Sequence, residues 1–358
     1  MSNTTRKFST RHLEFPAQLL VEKDAIANTQ LLSNLQSPKR VLLAIDEGVK
    51  HLAKHALSDI WFSETSTVHI IERADFSNVS QVDAICAKKQ IQTVVAFGGG
   101  KVLDVCKRLA SLRHIELIVI PTALSSDCIS SPIAVIFDDS GKKLSLPAAI
   151  PNVIIVDTEL CSQAPTRLTQ AGIGDLLSNY SALLDMNYAK DRAHVDGFSY
   201  LLAKSAANEI LGVQHLAVND QAVITQLAEG LILSGLAMGF SGDSRPCSGA
   251  EHLISHALDF LNLGNGLHGE QVALGMKFCH HLRLLLNLPG LNHAVLSCID
   301  NFKIRSTPET LNISKSEFFE ALSISPDMRQ GRVTFLESLD SIPKVHLEKA
   351  YLNAFVPV

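Results

Sequence analysis

The first half of the chain alternates short apolar runs with helical patterns. Four runs rich in valine, leucine and isoleucine are typical of buried strands, and they lie at 41–45, 68–71, 93–97 and 117–120. Helical patterns follow at 49–57, 79–90 and 101–112. Because such alternation is typical of a parallel sheet with helices on both faces, it predicts a Rossmann-like, doubly wound and mostly parallel α/β fold. Strands at 133–137 and 153–156 extend this part, with a hairpin-like turn at Asp138–Gly141.

The rest of the chain has a helical pattern. Long amphipathic or apolar stretches lie at 175–189, 200–213, 223–240, 252–260, 269–286 and 315–325. We therefore predict two domains, an α/β domain at residues 1–160 and an all-helical domain at 161–358, with the boundary near Asp157 to Pro165. The most membrane-like stretch, 222–240, contains Gln226 and Glu229, which favours a buried core helix over a membrane span.

Composition narrows the class of protein. Hydrophobic residues make up 46% of the 358 positions and charged residues 19%, which is ordinary for a well-packed protein. The net charge of −5 provides no basic surface, so we expect no nucleic-acid partner, and we expect no membrane insertion. The seven cysteines are scattered without a CxxC pair, and Met1–Arg11 has no apolar signal-peptide core. Both features favour a reduced, cytoplasmic compartment.

Histidines in the helical half suggest a metal site. His252 and His256 are four residues apart, so they lie on one face of a helix. His268 follows the turn Gly264–Gly266, where a second helix can begin and face the first. With Asp175 as an added carboxylate, these side chains suit zinc, nickel or iron. Spacing alone leaves open the alternative of structural or merely exposed histidines.

A glycine-rich turn ends the third apolar run. Gly98, Gly99 and Gly100 let backbone N–H groups approach a phosphate at the start of the following helix, although a plain tight turn is an equal alternative. Asp46, which follows the first run, is placed either to bond a ribose 2′-OH or to cap the next helix. The hydroxyl-rich loop 121–132 lies at another strand end, the edge where open α/β sheets bind ligands.

Five segments carry a family resemblance. They are GGGKVLDVCK at 98–107, PTALSSDCISSP at 121–132, AGIGDLLSNYSALLD at 171–185, SRPCSGAEHLISHALD at 244–259 and LHGEQVALG at 267–275. In this order they resemble the superfamily of glycerol dehydrogenases, iron-containing alcohol dehydrogenases and dehydroquinate synthases, and within it the glycerol-1-phosphate dehydrogenase branch. The resemblance implies a dehydroquinate synthase-like fold and a metal-dependent dehydrogenase that uses NAD or NADP.

The resemblance also implies roles for individual residues. Asp175, His252 and His268 are the implied ligands of one divalent metal, usually zinc in this branch. His256 and Asp127 are implied substrate contacts at the catalytic centre, where Asp175 shares their role. The implied cofactor contacts all lie in the α/β half and are Asp46, Gly99, Gly100, Lys101, Asp104, Thr122, Ser125 and Ser131.

The implied reaction is the reversible reduction of dihydroxyacetone phosphate to sn-glycerol 1-phosphate. The expected substrate is thus a small phosphorylated ketone or polyol, and relatives imply a homodimer or larger homo-oligomer. His256 would orient the substrate or pass its proton to solvent. Two positions depart from the family pattern, because Cys128 stands where relatives usually have a small residue and Lys101 adds a positive charge. Asp46 would repel a 2′-phosphate and Lys101 would attract one, so the choice between NAD and NADP stays open.

Three other functions are compatible with parts of this pattern. A dehydrogenase of another small polyol, such as free glycerol, fits the same scaffold. A lyase of the dehydroquinate synthase type is disfavoured because that branch has a glutamate at the position of Asp175, with a lysine soon after, and here none occurs before Lys190. A non-catalytic homologue that binds the cofactor is disfavoured because the whole metal-ligand set is present.

Charged residues beside the predicted ligands have structural explanations. Glu251 and Glu270 are expected to position ligands rather than act as bases. Arg245 either faces an anionic substrate or forms an ion pair with Asp243 or Glu251.

Overall fold

A computed structural model describes residues 13–27, 40–56, 66–189 and 196–356. The expectations for Met1–Arg11 and for a helix end at Leu57 lie outside these residues. The described chain folds into a parallel α/β part followed by a helical part, as the sequence predicts. One hydrophobic core runs from the sheet into the helical part, so the division at residue 160 stays a prediction.

Six parallel strands form the main sheet, in the order β1-β8-β5-β4-β2-β3. They are β1 Gln18–Glu22, β2 Val41–Ile45, β3 Thr67–Ile70, β4 Thr93–Gly98, β5 Glu116–Pro121 and β8 Val153–Asp157. β2, β4 and β8 are buried along their whole length, which explains their continuous apolar runs. The sequence did not predict β1, because this edge strand is only partly buried and has no long apolar run.

A separate antiparallel hairpin lies beside the sheet. It consists of β6 Ile133–Phe137 and β7 Lys143–Pro147. In its predicted turn, Asp138 Oδ1 accepts hydrogen bonds from Ser140 N and Lys142 N, both at 2.9 Å. The hairpin reaches the helical part, because Lys143 Nζ lies 2.7 Å from Asp259 Oδ2.

Helices cover the sheet and build the C-terminal half. Those of the α/β part are α1 Lys50–Ala56, α2 Phe76–Lys89, α3 Gly100–Arg113 and α4 Thr158–Ser162. Those of the helical part are α5 Thr166–Tyr188, α6 Gly197–Gly212, α7 Gln221–Ser241, α8 Ala250–Phe260, α9 His268–Leu285, α10 His293–Asn301, α11 Lys315–Ile324 and α12 Lys344–Phe355. No pattern in the sequence predicted α10 or α12, and α5 begins at Thr166 rather than at the predicted residue 175.

Among the described residues, α7 is the one helix long and apolar enough to cross a membrane. Its most apolar window is 61% buried inside the protein. It packs mainly against α6 and α5, and Leu227 and Leu231 are fully buried. These contacts are those of a core helix, as the polar residues within the stretch predicted.

Candidate metal and cofactor site

A crevice forms at the carboxyl ends of β2 and β4. The chain leaves β2 toward β3 on one side of the sheet and leaves β4 toward β5 on the other. Such divergence marks the point where open α/β sheets bind ligands. Asp46 follows β2 and Gly99 follows β4, and a Cβ added to Gly98 would lie 3.5 Å from Asp46 Cβ. Predicted cofactor residues from two chain segments therefore meet at this edge.

The start of α3 at this edge suits a phosphate group. No side chain caps the helix, and a Cβ added to Gly99 would meet no atom within 4 Å. Free N–H groups at a helix start beside open space favour an anion. Lys101 Nζ lies 2.7 Å from Asp46 Oδ2, so two side chains with opposite effects on a 2′-phosphate are paired. Asp46 Oδ1 also accepts a hydrogen bond from Gly48 N, which is the capping contact that the sequence left open.

A buried lysine ties two predicted cofactor residues together. Lys107 on α3 is fully buried, and its Nζ donates to Cys128 O at 2.8 Å and to Ser131 Oγ at 3.2 Å. Asp104 Oδ1 lies 3.4 Å from the same nitrogen. Burial raises the pKa of Asp104, although the charge of Lys107 opposes that change. Asp104 and Ser131 thus help to hold the loop after β5.

The remaining residues of this loop contact β4, α5 and the start of α3. Thr122 is buried, and its N donates to Gly98 O at 3.1 Å. Ser125 is half-buried beside α5. Cys128 Sγ would lie 3.3 Å from a Cβ on Gly100, so the unusual thiol packs against the start of α3. Burial raises the pKa of Cys128 to about 12, which keeps this sulfur protonated.

Asp175 lies in the interior of α5. The expectation that it begins a helix is wrong, because α5 begins at Thr166. The preceding Gly174 permits close packing rather than ending a helix, since a Cβ there would lie 2.4 Å from Gly269 O. The start of α9 therefore touches the backbone of α5, and this contact brings His268 beside Asp175.

The three predicted metal ligands converge on one point. Asp175 Oδ1 lies 3.6 Å from His252 Nε2 and 3.5 Å from His268 Nε2. One ligand atom from each residue lies within 4.8 Å of the other two. Asp175 and His252 are buried, whereas the side chain of His268 is 35% exposed and open to the cavity described below.

These distances fit a shared cation better than direct hydrogen bonds. An N–H···O bond is normally about 2.7–3.2 Å long, whereas two ligands about 2.1 Å from one tetrahedral ion lie about 3.4 Å apart. His252 Nδ1 lies 2.9 Å from Glu251 Oε1, and His268 Nδ1 lies 3.3 Å from Ser255 Oγ. With a proton on each Nδ1, both Nε2 lone pairs face the carboxylate and repel it unless a cation lies between them. The donor set therefore fits a divalent metal.

The pKa values of His252 and Asp175 also indicate that this site attracts positive charge. Burial lowers the pKa of His252, but the neighbouring carboxylates of Asp175 and Glu251 outweigh this and raise it to about 9. Burial raises the pKa of Asp175, yet the two histidines bring it below its ordinary value. Both shifts show that the site favours positive charge, which agrees with a donor set for a cation.

Two buried glutamates support the helices that carry the ligands. Glu251 fixes the orientation of His252 through the Nδ1 contact. Glu270 accepts a hydrogen bond from Leu267 N at 2.7 Å and lies 2.7 Å from Arg167 Nη2, which anchors the start of α9. Carboxylates that fix metal-binding histidines increase metal affinity. Both contacts agree with the positioning role expected for these glutamates.

A cavity of about 570 Å³ opens beside the converging ligands, a size suited to small molecules. The predicted residues in its wall are Asp104, Asp127, Ser131, Asp175, His252, His256 and His268. Burial and the neighbouring histidines hold the pKa of His256 well below its usual range, so its ring is neutral near pH 7. Burial and the charge of Asp175 raise the pKa of Asp127 to about 7.

Several predicted cofactor residues lie outside the cavity wall, at the ends of β2, β4 and β5; they are Asp46, Gly99, Gly100, Lys101, Thr122 and Ser125. Conversely, the wall contains residues that the sequence analysis missed, among them Lys143, Ser244 and Arg329. Arg329 follows a 3-10 turn at Ser325–Met328, beyond the last family segment, and no local pattern marks it. Arg245 is not in the wall, and its Nε lies 2.8 Å from Asp243 Oδ2.

The chain is similar to several known proteins. A family model described as iron-containing alcohol dehydrogenase matches residues 20–165. A glycerol-1-phosphate dehydrogenase (NAD(P)+) from Archaeoglobus fulgidus is 31% identical over 331 residues, which cover 91% of this chain and 94% of that protein. The enzyme of the same name from Sulfolobus acidocaldarius is 36% identical over 273 residues, which cover 75% of this chain and 76% of that protein. A solved glycerol dehydrogenase from Schizosaccharomyces pombe has the same fold, with a TM-score of 0.78 at 19% identity, covering 96% of this chain and 91% of that one.

Proposed function

Because this chain belongs to the glycerol-1-phosphate dehydrogenases of the iron-containing alcohol dehydrogenase family, we propose that it reversibly reduces dihydroxyacetone phosphate to sn-glycerol 1-phosphate with NAD(P)H. The ketone takes up a hydride and a proton, and the products are a secondary alcohol and the oxidised cofactor. The observation that carries the proposal is the convergence of Asp175, His252 and His268 beside a cavity of small-molecule size.

The residues of the site have different roles in the proposed reaction. Asp175, His252 and His268 would hold one divalent metal, and the start of α3 would hold the dinucleotide phosphates. When bound, the metal supplies an electrophile for the ketone and the nicotinamide supplies the hydride. The neutral His256 ring offers one donor and one acceptor, so it orients a substrate hydroxyl and relays a proton. Asp127, with a pKa of about 7, supplies a second polar contact to the substrate.

The identity of the metal and the oligomeric state are also proposed. One carboxylate and two imidazoles suit zinc, with nickel or iron as alternatives, and metal analysis of the purified protein distinguishes them. A homodimer or larger assembly is proposed because α6 carries two exposed apolar side chains, Phe198 (71% exposed), which stacks on Phe240, and Leu201 (64% exposed). A cytoplasmic location is proposed because the described cysteines are free thiols. A monomer mass by light scattering would contradict the assembly.

A substrate panel tests the proposed reaction. With NADH and NADPH, we expect kcat/KM for dihydroxyacetone phosphate to exceed that for dihydroxyacetone by at least about 100-fold, because a charged group bound in a fitted site contributes roughly 3 kcal/mol. Both kcat/KM values are measured by following oxidation of the cofactor spectrophotometrically. A preference for the free ketone would identify the enzyme as a dehydrogenase of another polyol.

Removing Asp46 should shift cofactor preference toward NADPH. We expect Asp46→Ala to raise the ratio of kcat/KM for NADPH to that for NADH by about tenfold or more, because repulsion of the 2′-phosphate is lost and Lys101 is released. Lys101→Met should lower the same ratio. Dissociation constants of NADH and NADPH show whether the change in preference arises from cofactor binding. Glu47→Ala, which removes an exposed neighbouring acid paired with Lys50, is the matched control. Unchanged ratios in both variants would refute this assignment of Asp46.

A further inference from the structure

One wall of the cavity carries an arginine that forms no ion pair with any described residue. Arg329 Nη1 donates a hydrogen bond to Ser244 Oγ at 2.8 Å. Arg332 Nη2 donates to the same oxygen at 2.8 Å, and its Nη1 donates to Ser248 O. Ser244 is 3% exposed, and both Ser244 and Arg329 line the cavity. Two cationic groups therefore share one neutral hydroxyl at this wall.

This arrangement turns Ser244 into a hydrogen-bond donor toward the cavity. The two guanidinium groups occupy the lone pairs of Oγ, so the hydroxyl hydrogen is left to donate. No hydrogen bond from Ser244 Oγ to another residue in the described part of the chain uses that hydrogen. A ligand here thus meets a hydroxyl donor and a guanidinium, both of which require an acceptor.

Positive charge is crowded at this end of the cavity. Burial, followed by the charge of Arg329, lowers the pKa of Arg332 to about 10. Burial also lowers the pKa of Arg329, although Asp243 opposes this. Arg329 lines the same cavity as His256 and the three predicted metal ligands. A bound anion would relieve this repulsion.

The other cations near the cavity are already engaged. Lys143 Nζ lies 2.7 Å from Asp259 Oδ2, and Lys142 Nζ lies 5.0 Å from the centre of the Phe260 ring. Arg245 is paired with Asp243, as described above. Arg329 is therefore the cation of this wall best placed to meet an incoming anion.

We propose that Arg329 and the Ser244 hydroxyl bind the phosphate group of the substrate, which makes Arg329 a specificity-determining residue. This inference rests on the proposed function, because it assigns one part of the same substrate. The metal ligands, His256 and Arg329 line a single cavity, so one small molecule can place its ketone at one end and its phosphate at the other. Guanidinium groups recognise phosphate with two parallel hydrogen bonds, which lysine does not reproduce.

The test uses Arg329→Gln and Arg329→Lys in the metal-loaded full chain. For Arg329→Gln we expect kcat/KM for dihydroxyacetone phosphate to fall about 10- to 100-fold, mainly because KM rises. The preference ratio, which is kcat/KM for dihydroxyacetone phosphate divided by kcat/KM for dihydroxyacetone, should fall by a similar factor. Competitive inhibition by inorganic phosphate should weaken about tenfold or more. Arg329→Lys should show an intermediate loss. Arg245→Gln is the matched control, with a change within about twofold, because its guanidinium lies outside the cavity wall.

Each outcome decides the inference. An unchanged preference ratio in Arg329→Gln, or an equal loss in Arg245→Gln, would overturn it. If Arg329→Gln fails to fold, the preference ratio and phosphate inhibition of Arg329→Lys decide in the same way. A wild-type enzyme without any preference for the phosphorylated ketone would instead refute the proposed function, and the inference with it. The wild-type panel therefore separates the two failures.

Discussion

We expect His268→Ala to lose the bound metal and to lower turnover by at least about 1,000-fold. Asp175 and His252 alone leave two protein ligands, and the metal electrophile would lower the activation barrier by several kcal/mol. Elemental analysis after gel filtration gives the metal content, and cofactor oxidation gives the rate. Added zinc should restore part of the rate only at concentrations far above those that saturate the wild-type protein.

The control for this variant is His281→Ala. His281 also lies on α9, but its ring stacks edge-on against His280 rather than entering the cavity. It should keep full metal content and activity. Full turnover by a metal-free His268→Ala protein would refute the metal assignment altogether.

The second large effect concerns a buried ion pair behind the site. Arg283 Nη2 lies 2.7 Å from Asp185 Oδ1, and both side chains are almost completely buried. Asp185 also accepts hydrogen bonds from Phe335 N at 3.0 Å and from Ala250 N, at the start of α8, at 2.8 Å. We expect Asp185→Ala to lower the free energy of unfolding by about 3–5 kcal/mol, because it leaves a buried guanidinium and two N–H groups without their acceptor.

Urea unfolding and the midpoint of thermal unfolding measure this loss. Asp185→Leu combined with Arg283→Met should recover much of it, because removing both charges avoids an unpaired one. Glu348→Ala is the control, since it breaks an exposed pair with Lys315 and should change stability by less than about 1 kcal/mol. If Glu348→Ala lowered the free energy of unfolding as much as Asp185→Ala, a special role for the buried pair would be contradicted. Because Asp185 anchors α8, metal affinity should weaken in Asp185→Ala as well.

Patterns along the chain predicted the sheet better than the helices. Buried parallel strands such as β2 and β4 are apolar along their whole length. Such a run can be recognised without knowing which strands or helices lie beside it. The predicted helix at 175–189 left out Gly172 and Gly174, and glycine is unfavourable in helix interiors. These glycines are needed for a contact with a distant part of the chain, because a Cβ on Gly172 would lie 2.0 Å from Leu124 O. Local sequence cannot reveal such a close approach.

The same distinction applies to the site. Histidines spaced four apart, and a family pattern around them, suggested the residues that the structure brings together at Asp175. Arg329 has no such spacing, and its position depends on the turn at Ser325–Met328 that packs against α8. The pairing of Lys101 with Asp46 likewise required coordinates, since the two residues come from different strands' ends. Contacts of charged residues that are distant in sequence are therefore the part of the site that sequence predicts least.

The origin of the three converging ligands bears on how the enzyme matures. Asp175 comes from α5, which is far along the chain from His252 on α8 and His268 on α9. No nascent or truncated chain that ends before α9 can offer all three donors, and closing these loops costs conformational entropy. We therefore expect a metal to bind all three side chains only after these helices have packed together, so that metal binding would report a late step of folding.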